Sequence, residues 1–220
     1  MKIITIEGLK GSGKSLICER LLEKYNFTFI EKFTKIRTEL VRPVDFVEDI
    51  RRKYNNKFNN IQSSLGLFFY SAFFNRLENL GDVSNYLLNR GMLSLPYFGY
   101  YGYVNSSEMI PFDEYLDVVR ELHNLALDRY RKKYEENSLF INLECNKGEL
   151  FRRIKLREYK IPSDTFFIEH YDTYVKLNDM FEKETKQSLS RSKFLIFRNE
   201  DVKDLEQIIR ITGKNLKEKL

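Results

Sequence analysis

Residues 4–15 read ITIEGLKGSGKS: a short apolar run enters a turn of three glycines and leaves it through Lys14 and Ser15. Few stretches constrain a chain more. The run before the turn has the character of a buried strand. Beyond it Leu16, Ile17, Leu21 and Leu22 recur at helical spacing. A strand, a glycine turn and a helix in that order place several backbone N–H groups around one point, at the positive end of a helix. Gly8-Leu9-Lys10-Gly11-Ser12-Gly13-Lys14-Ser15 fits the P-loop pattern in full. The expected ligand is the polyphosphate of a nucleoside triphosphate, ATP, cradled by Gly8, Lys10, Gly11, Ser12, Gly13, Lys14, Ser15 and Leu16. Lys14 would bridge the outer phosphates and Ser15 would offer its hydroxyl to Mg2+.

The remaining chain alternates strand and helix patterns. Strands are expected at 2–7, 27–33, 85–89, 139–144 and 193–197. Helices are expected at 14–25, 61–80, 111–136, 147–158, 165–185 and 202–216, and the 61–80 helix is long and apolar. Residues 96–103, PYFGYYGY, read as an irregular aromatic loop because two glycines interrupt them. Alternation of this kind predicts an α/β fold with a five-stranded parallel sheet and helices on both faces. All strand C-termini then share one edge, where ligands gather.

Composition narrows the function classes. With 220 residues, 42% of them hydrophobic, the chain suits one domain spanning 1–220. A net charge of +5 favours anionic ligands without calling for nucleic acid, and the basic clusters at 51–53 and 131–133 read as solvated helix faces. Cys18 and Cys145 have no spacing for a disulfide framework or zinc. They fit small buried residues in a reducing, cytoplasmic setting. No run is long enough to span a bilayer, and no signal-like order opens the sequence, so no membrane partner is expected. His123 and His170 stand alone and read as ordinary histidines.

Further motifs extend the reading. LLNRGMLSLPYF (87–98) resembles the Asp-Arg-Tyr-x-x-Ser-x-x-Ala-Tyr segment of thymidylate kinases and the Glu-Arg-Ser-x-x-Ser segment of deoxynucleoside kinases, with Arg90 and Ser94 in register. LGLFFYSAFFNRLENL (65–80) is similar to the helix those families place beside the acceptor, with Arg76 at its arginine. INLECNKGELFRRIKLRE (141–158) resembles their strand-to-lid segment, with Arg153 and Arg157 in place and a helical lid at about 153–165. The closing FLIFRNEDVKDLEQII is similar to their last strand and helix. The resemblance implies a P-loop kinase fold and phosphoryl transfer from ATP. Its acceptor would be a deoxynucleoside monophosphate, as in dTMP to dTDP, or alternatively the 5′-hydroxyl of a deoxynucleoside.

In this scheme Lys14, Arg153, Arg157 and Glu31 are the catalytic set. Arg153 and Arg157, four apart, share a helix face that can grip a transferring phosphoryl group. The resemblance makes Glu31 the base on a sugar hydroxyl or a residue that positions the acceptor. Arg76, Arg90, Phe69, Tyr97 and Tyr101 are the expected substrate-binding residues. The long apolar helix is compatible with a homodimer. Two positions depart from the pattern. Asn89 replaces an Asp or Glu that draws Mg2+, and Lys10 stands where thymidylate kinases carry Asp. A nucleotide-binding protein with impaired catalysis is therefore a third reading.

Overall fold

The computed structural model describes residues 2–30, 41–81, 84–106, 110–157 and 162–217. Five strands form one parallel sheet: β1 (Lys2–Gly8), β2 (Thr28–Ile30), β3 (Asn85–Asn89), β4 (Ser138–Glu144) and β5 (Lys193–Arg198). Their order is β2-β3-β1-β4-β5, with Ile6 opposite both Asn89 and Ile141. The first strand in sequence therefore lies at the centre. Its C-terminal end opens where the chain departs to either side, the crevice in which α/β sheets bind ligands.

The helices are α1 (Lys14–Lys24), α2 (Asp45–Tyr54), α3 (Ile61–Ser64), α4 (Leu67–Glu78), α5 (Leu95–Asn105), α6 (Phe112–Tyr134), α7 (Lys147–Lys155), α8 (Pro162–Glu169), α9 (Tyr171–Ser188) and α10 (Val202–Lys217). Strand alternation assigns the two faces of the sheet. Ile4, Ile6, Leu87, Leu139, Ile141 and Leu143 pack with Ile17, Leu21 and Ile208 of α1 and α10. Ile3, Leu88 and Phe140 pack into a larger core with α2, α4, α5, α6 and α9. Thr5 and Glu7 share the face of Ile3, so Glu7 is carried beneath this second helical layer. No helix among the described residues is long and apolar enough to cross a membrane.

The structure corrects three expectations. The apolar stretch 61–80 is two helices, broken at Leu65 and Gly66, where Gly66 has φ 63°. Residues 96–103 are helical within α5, not an irregular loop. Both differences have one cause. A Cβ on Gly102 would lie 1.9 Å from the carbonyl oxygen of Ser63, and one on Gly66 would lie 2.9 Å from the amide nitrogen of Gly99. The glycines let α5 cross the α3–α4 junction with backbones touching. Third, the 165–185 helix is divided at His170 into α8 and α9.

Within α1, Leu16 is exposed while Ile17, Cys18 and Leu21 are buried. Cys18 is buried as expected, but Cys145 is only half-buried. Only Thr28–Ile30 of the 27–33 strand is found, and residues 31–33 lie outside the described residues. His123 is fully buried between the Tyr70 hydroxyl and Thr185 Oγ1, and burial pushes its pKa down to about 3.

Candidate active site

The P-loop leaves β1 at Gly8 and enters α1 at Lys14. Gly8, Gly11 and Gly13 all have positive φ. Gly13, at φ 91°, shows why no side chain fits: a Cβ there would lie 2.3 Å from Asn199 Nδ2. Asn199 follows β5 and is buried. Its Nδ2 donates to Ser12 O at 2.6 Å, and its backbone N–H donates to Glu144 O at 2.9 Å. It ties the loop to the ends of β4 and β5. The Lys14 ammonium folds back over the loop, donating to Gly8 O (2.7 Å), Leu9 O (2.6 Å) and Ser12 Oγ (3.2 Å).

A cavity of about 550 Å³ opens above this loop, lined by Lys10, Gly11, Gly13, Lys14, Ser15, Leu16, Asn89, Arg90, Phe98, Arg153, Arg157 and Ser163. Six of the eight residues expected to cradle polyphosphate therefore face one space. Gly8 and Ser12 do not line it. Ser12 is fully buried under the loop, and Gly8 packs on Leu143. Arg153 and Arg157 both reach the cavity from α7 and the residues just past it. Arg153 Nε donates to Glu149 Oε1 at 2.6 Å and its Nη2 donates to Glu200 O at 3.0 Å. Hydrogen bonds from Arg152 and Arg153 hold the Glu149 carboxyl down to about 2.

A second cavity, about 250 Å³, adjoins the first and shares Lys10, Arg90, Phe98 and Ser163 with it. Its walls are rings: Phe69, Tyr97, Phe98, Tyr101, Phe167 and Tyr174. Phe69 stacks on Phe98 with centroids 4.2 Å apart. The Tyr97 hydroxyl donates to Asn178 Oδ1, which anchors this ring at the wall of the space. Four of the five residues expected to bind substrate meet here. Arg76 is the exception. It sits on the last turn of α4 and lines neither cavity. Glu31 lies outside the described residues.

Arg90 stands between the two cavities in a strained backbone. Its φ is 84°, and among the described residues it is the one non-glycine with positive φ. Such strain persists where surrounding structure enforces it, often at working sites. Here the Arg90 N–H donates to Ile6 O at 3.0 Å, and the guanidinium lies 5.7 Å from the Phe98 ring centroid. Burial lowers its pKa, and the charge of Glu7 opposes that.

Glu7 is wholly buried, accepting from Ser94 Oγ (2.6 Å) and the Leu93 N–H (3.1 Å). Burial raises its pKa to about 7, against the pull of Ser94 and Arg90. A carboxyl raised in the fold binds more protons there than in the unfolded chain, so its contribution to stability falls as pH rises from about 4.5 to about 7. Glu7→Gln removes that dependence. The Tm of the variant minus that of wild type is expected to increase between pH 5 and pH 8, read by thermal melts. A flat difference would show that Glu7 is ionised throughout.

Near Ser15, Mg2+ would have to be held by neutral oxygens. Asn89 Nδ2 lies 3.2 Å from Ser15 Oγ, and Asn89 Oδ1 is buried without a hydrogen-bond partner among the described residues. These are two neutral oxygen donors. No group of three or more His, Cys, Asp or Glu suited to a metal occurs among the described residues. Such a set fits an ion that arrives with phosphates supplying the charge. Glu7 is bonded to Ser94, and Glu144 lines a separate cavity near Cys145.

Sequence reasoning missed Asn199, Ser163, Asp164, Phe167 and Tyr174. Asn199 could have been found, since it directly follows a strand at the ligand edge. The other four arrive on α8 and α9, whose placement has no local signature.

The fold is that of the P-loop kinases. A deoxyadenosine kinase from M. mycoides with bound dATP is 20% identical, covers 96% of this chain and 99% of its own, and has a TM-score of 0.60. The same enzyme with bound dCTP gives 21% identity, the same coverage and a TM-score of 0.55. A shikimate kinase from Bacteroides thetaiotaomicron is 14% identical, covers 99% of each chain and has a TM-score of 0.50. No protein-family model and no curated protein sequence matches the chain.

Proposed function

We propose that this protein is a deoxynucleoside kinase, transferring the γ-phosphoryl group of ATP to the 5′-hydroxyl of a deoxynucleoside. The observation that carries the reading is the character of the smaller cavity. It is small and walled by rings, and its cations are Lys10 and Arg90, both at the mouth shared with the larger cavity. Lys10 is already paired with Asp164 at 2.6 Å. A monophosphate acceptor brings its own charge and needs cations of its own. Arg76, expected for that purpose, is not among the residues lining either cavity. An uncharged nucleoside suits stacking walls better. The deoxyadenosine kinase neighbours point the same way, in preference to the dTMP kinase reading.

In this reading the P-loop amides and Lys14 hold the donor phosphates, while Arg153 and Arg157 meet charge that develops on the transferring group. Ser15 and Asn89 would hold Mg2+, which neutralises phosphate charge. Arg90 directs the acceptor hydroxyl toward the γ-phosphate. Glu31, next in the chain after β2, is the base. Positioning and electrostatics supply most of the rate.

A coupled ADP-release assay across nucleosides and their monophosphates tests this. Turnover of a deoxynucleoside but not of its monophosphate is expected. The reverse pattern would restore the nucleotide kinase reading. Triphosphate binding with no turnover of any acceptor would favour the impaired protein that Asn89 suggests.

A further inference from the structure

Lys10, which lines both cavities, and Arg157, which lines the larger, converge on a single carboxylate that the P-loop pattern does not account for. Asp164 Oδ1 lies 2.6 Å from Lys10 Nζ of the P-loop and 2.9 Å from Arg157 Nη1 beyond α7. The Asp164 side chain is 6% exposed, that of Lys10 16% and that of Arg157 37%. Lys10 Nζ also donates to Ser163 Oγ at 2.7 Å. Burial lowers the Lys10 pKa, and the bond to Asp164 opposes this.

Asp164 occupies the first turn of α8. Phe167, three residues on, shares its helix face, lines the ring-walled cavity and packs against Tyr174 at 5.1 Å between centroids. Phe166 packs on Tyr101. One short helix thus carries a wall of the acceptor cavity and the anchor of two cations facing the phosphate cavity.

We propose that Asp164 is a positioning residue for phosphoryl transfer: it holds Lys10 and Arg157 together at the junction and, through α8, links their placement to what fills the ring-walled cavity. The transfer step itself rests on the function proposed above. Two like charges converge on one oxygen here. Without the carboxylate they repel each other, and the more exposed Arg157 swings away. A misplacement of about 1 Å at a transfer centre can cost about a hundredfold in rate. Removing a negative charge beside the cradle at the same time favours binding of a polyanion.

The test uses the full chain carrying Asp164→Asn, Asp164→Glu or Lys10→Met. MgATP affinity is measured by displacement of a fluorescent triphosphate, and turnover is measured with the acceptor that the panel identifies. For Asp164→Asn, kcat is expected to fall by about 30-fold, on the scale of such misplacements, with acceptor KM changing less than about threefold. MgATP should bind about threefold tighter, and Lys10→Met in the same chain should abolish that gain. Asp164→Glu should recover part of kcat.

A tie that only holds the fold would lower Tm, kcat and MgATP affinity together without rescue by Glu, and this would overturn the proposal. If the asparagine variant does not fold, Lys10→Met alone reads the same link and is expected to lower kcat by a similar factor; an unchanged kcat overturns it. If the wild-type chain turns over no acceptor, the functional reading fails by itself. The binding arm then decides on Asp164: tighter MgATP binding that depends on Lys10 upholds the linkage, and unchanged or weaker binding ends it.

Discussion

Lys14→Met is expected to lower phosphoryl transfer by about a thousandfold, on the scale measured when a main donor to transition-state charge is removed. The ammonium is positioned by the loop itself, through Gly8 O, Leu9 O and Ser12 Oγ. It lines the larger cavity together with Arg153 and Arg157. Met keeps the length of the stem and removes the charge. Ground-state binding should suffer less than the rate, because the amides of Gly11, Gly13 and Ser15 remain as phosphate donors. The Tm should stay within about 5 °C of wild type, since Met retains the volume of the buried stem and a change of about 1 kcal/mol moves a domain of this size by only a few degrees. Single-turnover transfer from ATP, measured beside MgATP binding, separates the two effects. A variant that keeps a tenth of wild-type activity would show that Lys14 does not touch the transferred group.

Gly102→Ala is expected to lower Tm by about 5–10 °C, from an overpacking cost of about 2–3 kcal/mol in a domain of this length. The added methyl would lie 1.9 Å from Ser63 O, a backbone atom that cannot rotate away. To relieve this, α5 must move from α3. Because α5 carries Tyr97, Phe98 and Tyr101, the ring-walled cavity should be disturbed before the phosphate cavity. Acceptor affinity is therefore expected to fall more than MgATP affinity. Gly148→Ala is the control: there the nearest atom is Oδ1 of Asn146, the residue capping α7, at 3.5 Å, an ordinary contact. Calorimetry of both variants decides the point. An unchanged Tm for Gly102→Ala would mean that α5 and α3 do not touch as described.

Gly102 also shows why part of the fold escaped a reading of the chain alone. Glycine has two uses, a free backbone and an absent side chain, and sequence does not say which applies. In the P-loop both hold, positive φ at Gly8, Gly11 and Gly13 and the closeness of Asn199 at Gly13. In PYFGYYGY the second holds, so glycines that suggest a loop sit inside a helix. The same ambiguity hid the break at Gly66.

Local pattern determined the five strands and the strand–loop–helix of the P-loop, with Lys14 and Ser15 at one edge of the sheet. Those features follow from periodicity and from a motif whose residues are neighbours in the chain, whereas Arg90, Arg153 and Arg157 stand out chiefly through resemblance to known kinases. Tertiary structure alone decided that Asn199 braces the loop from the far end of the sequence, that Asp164 joins Lys10 to Arg157, and that six rings from four helices enclose one small cavity. Each depends on distances between residues far apart in sequence. Those distances are set by how helices pack on a twisted sheet, which no short-range pattern encodes.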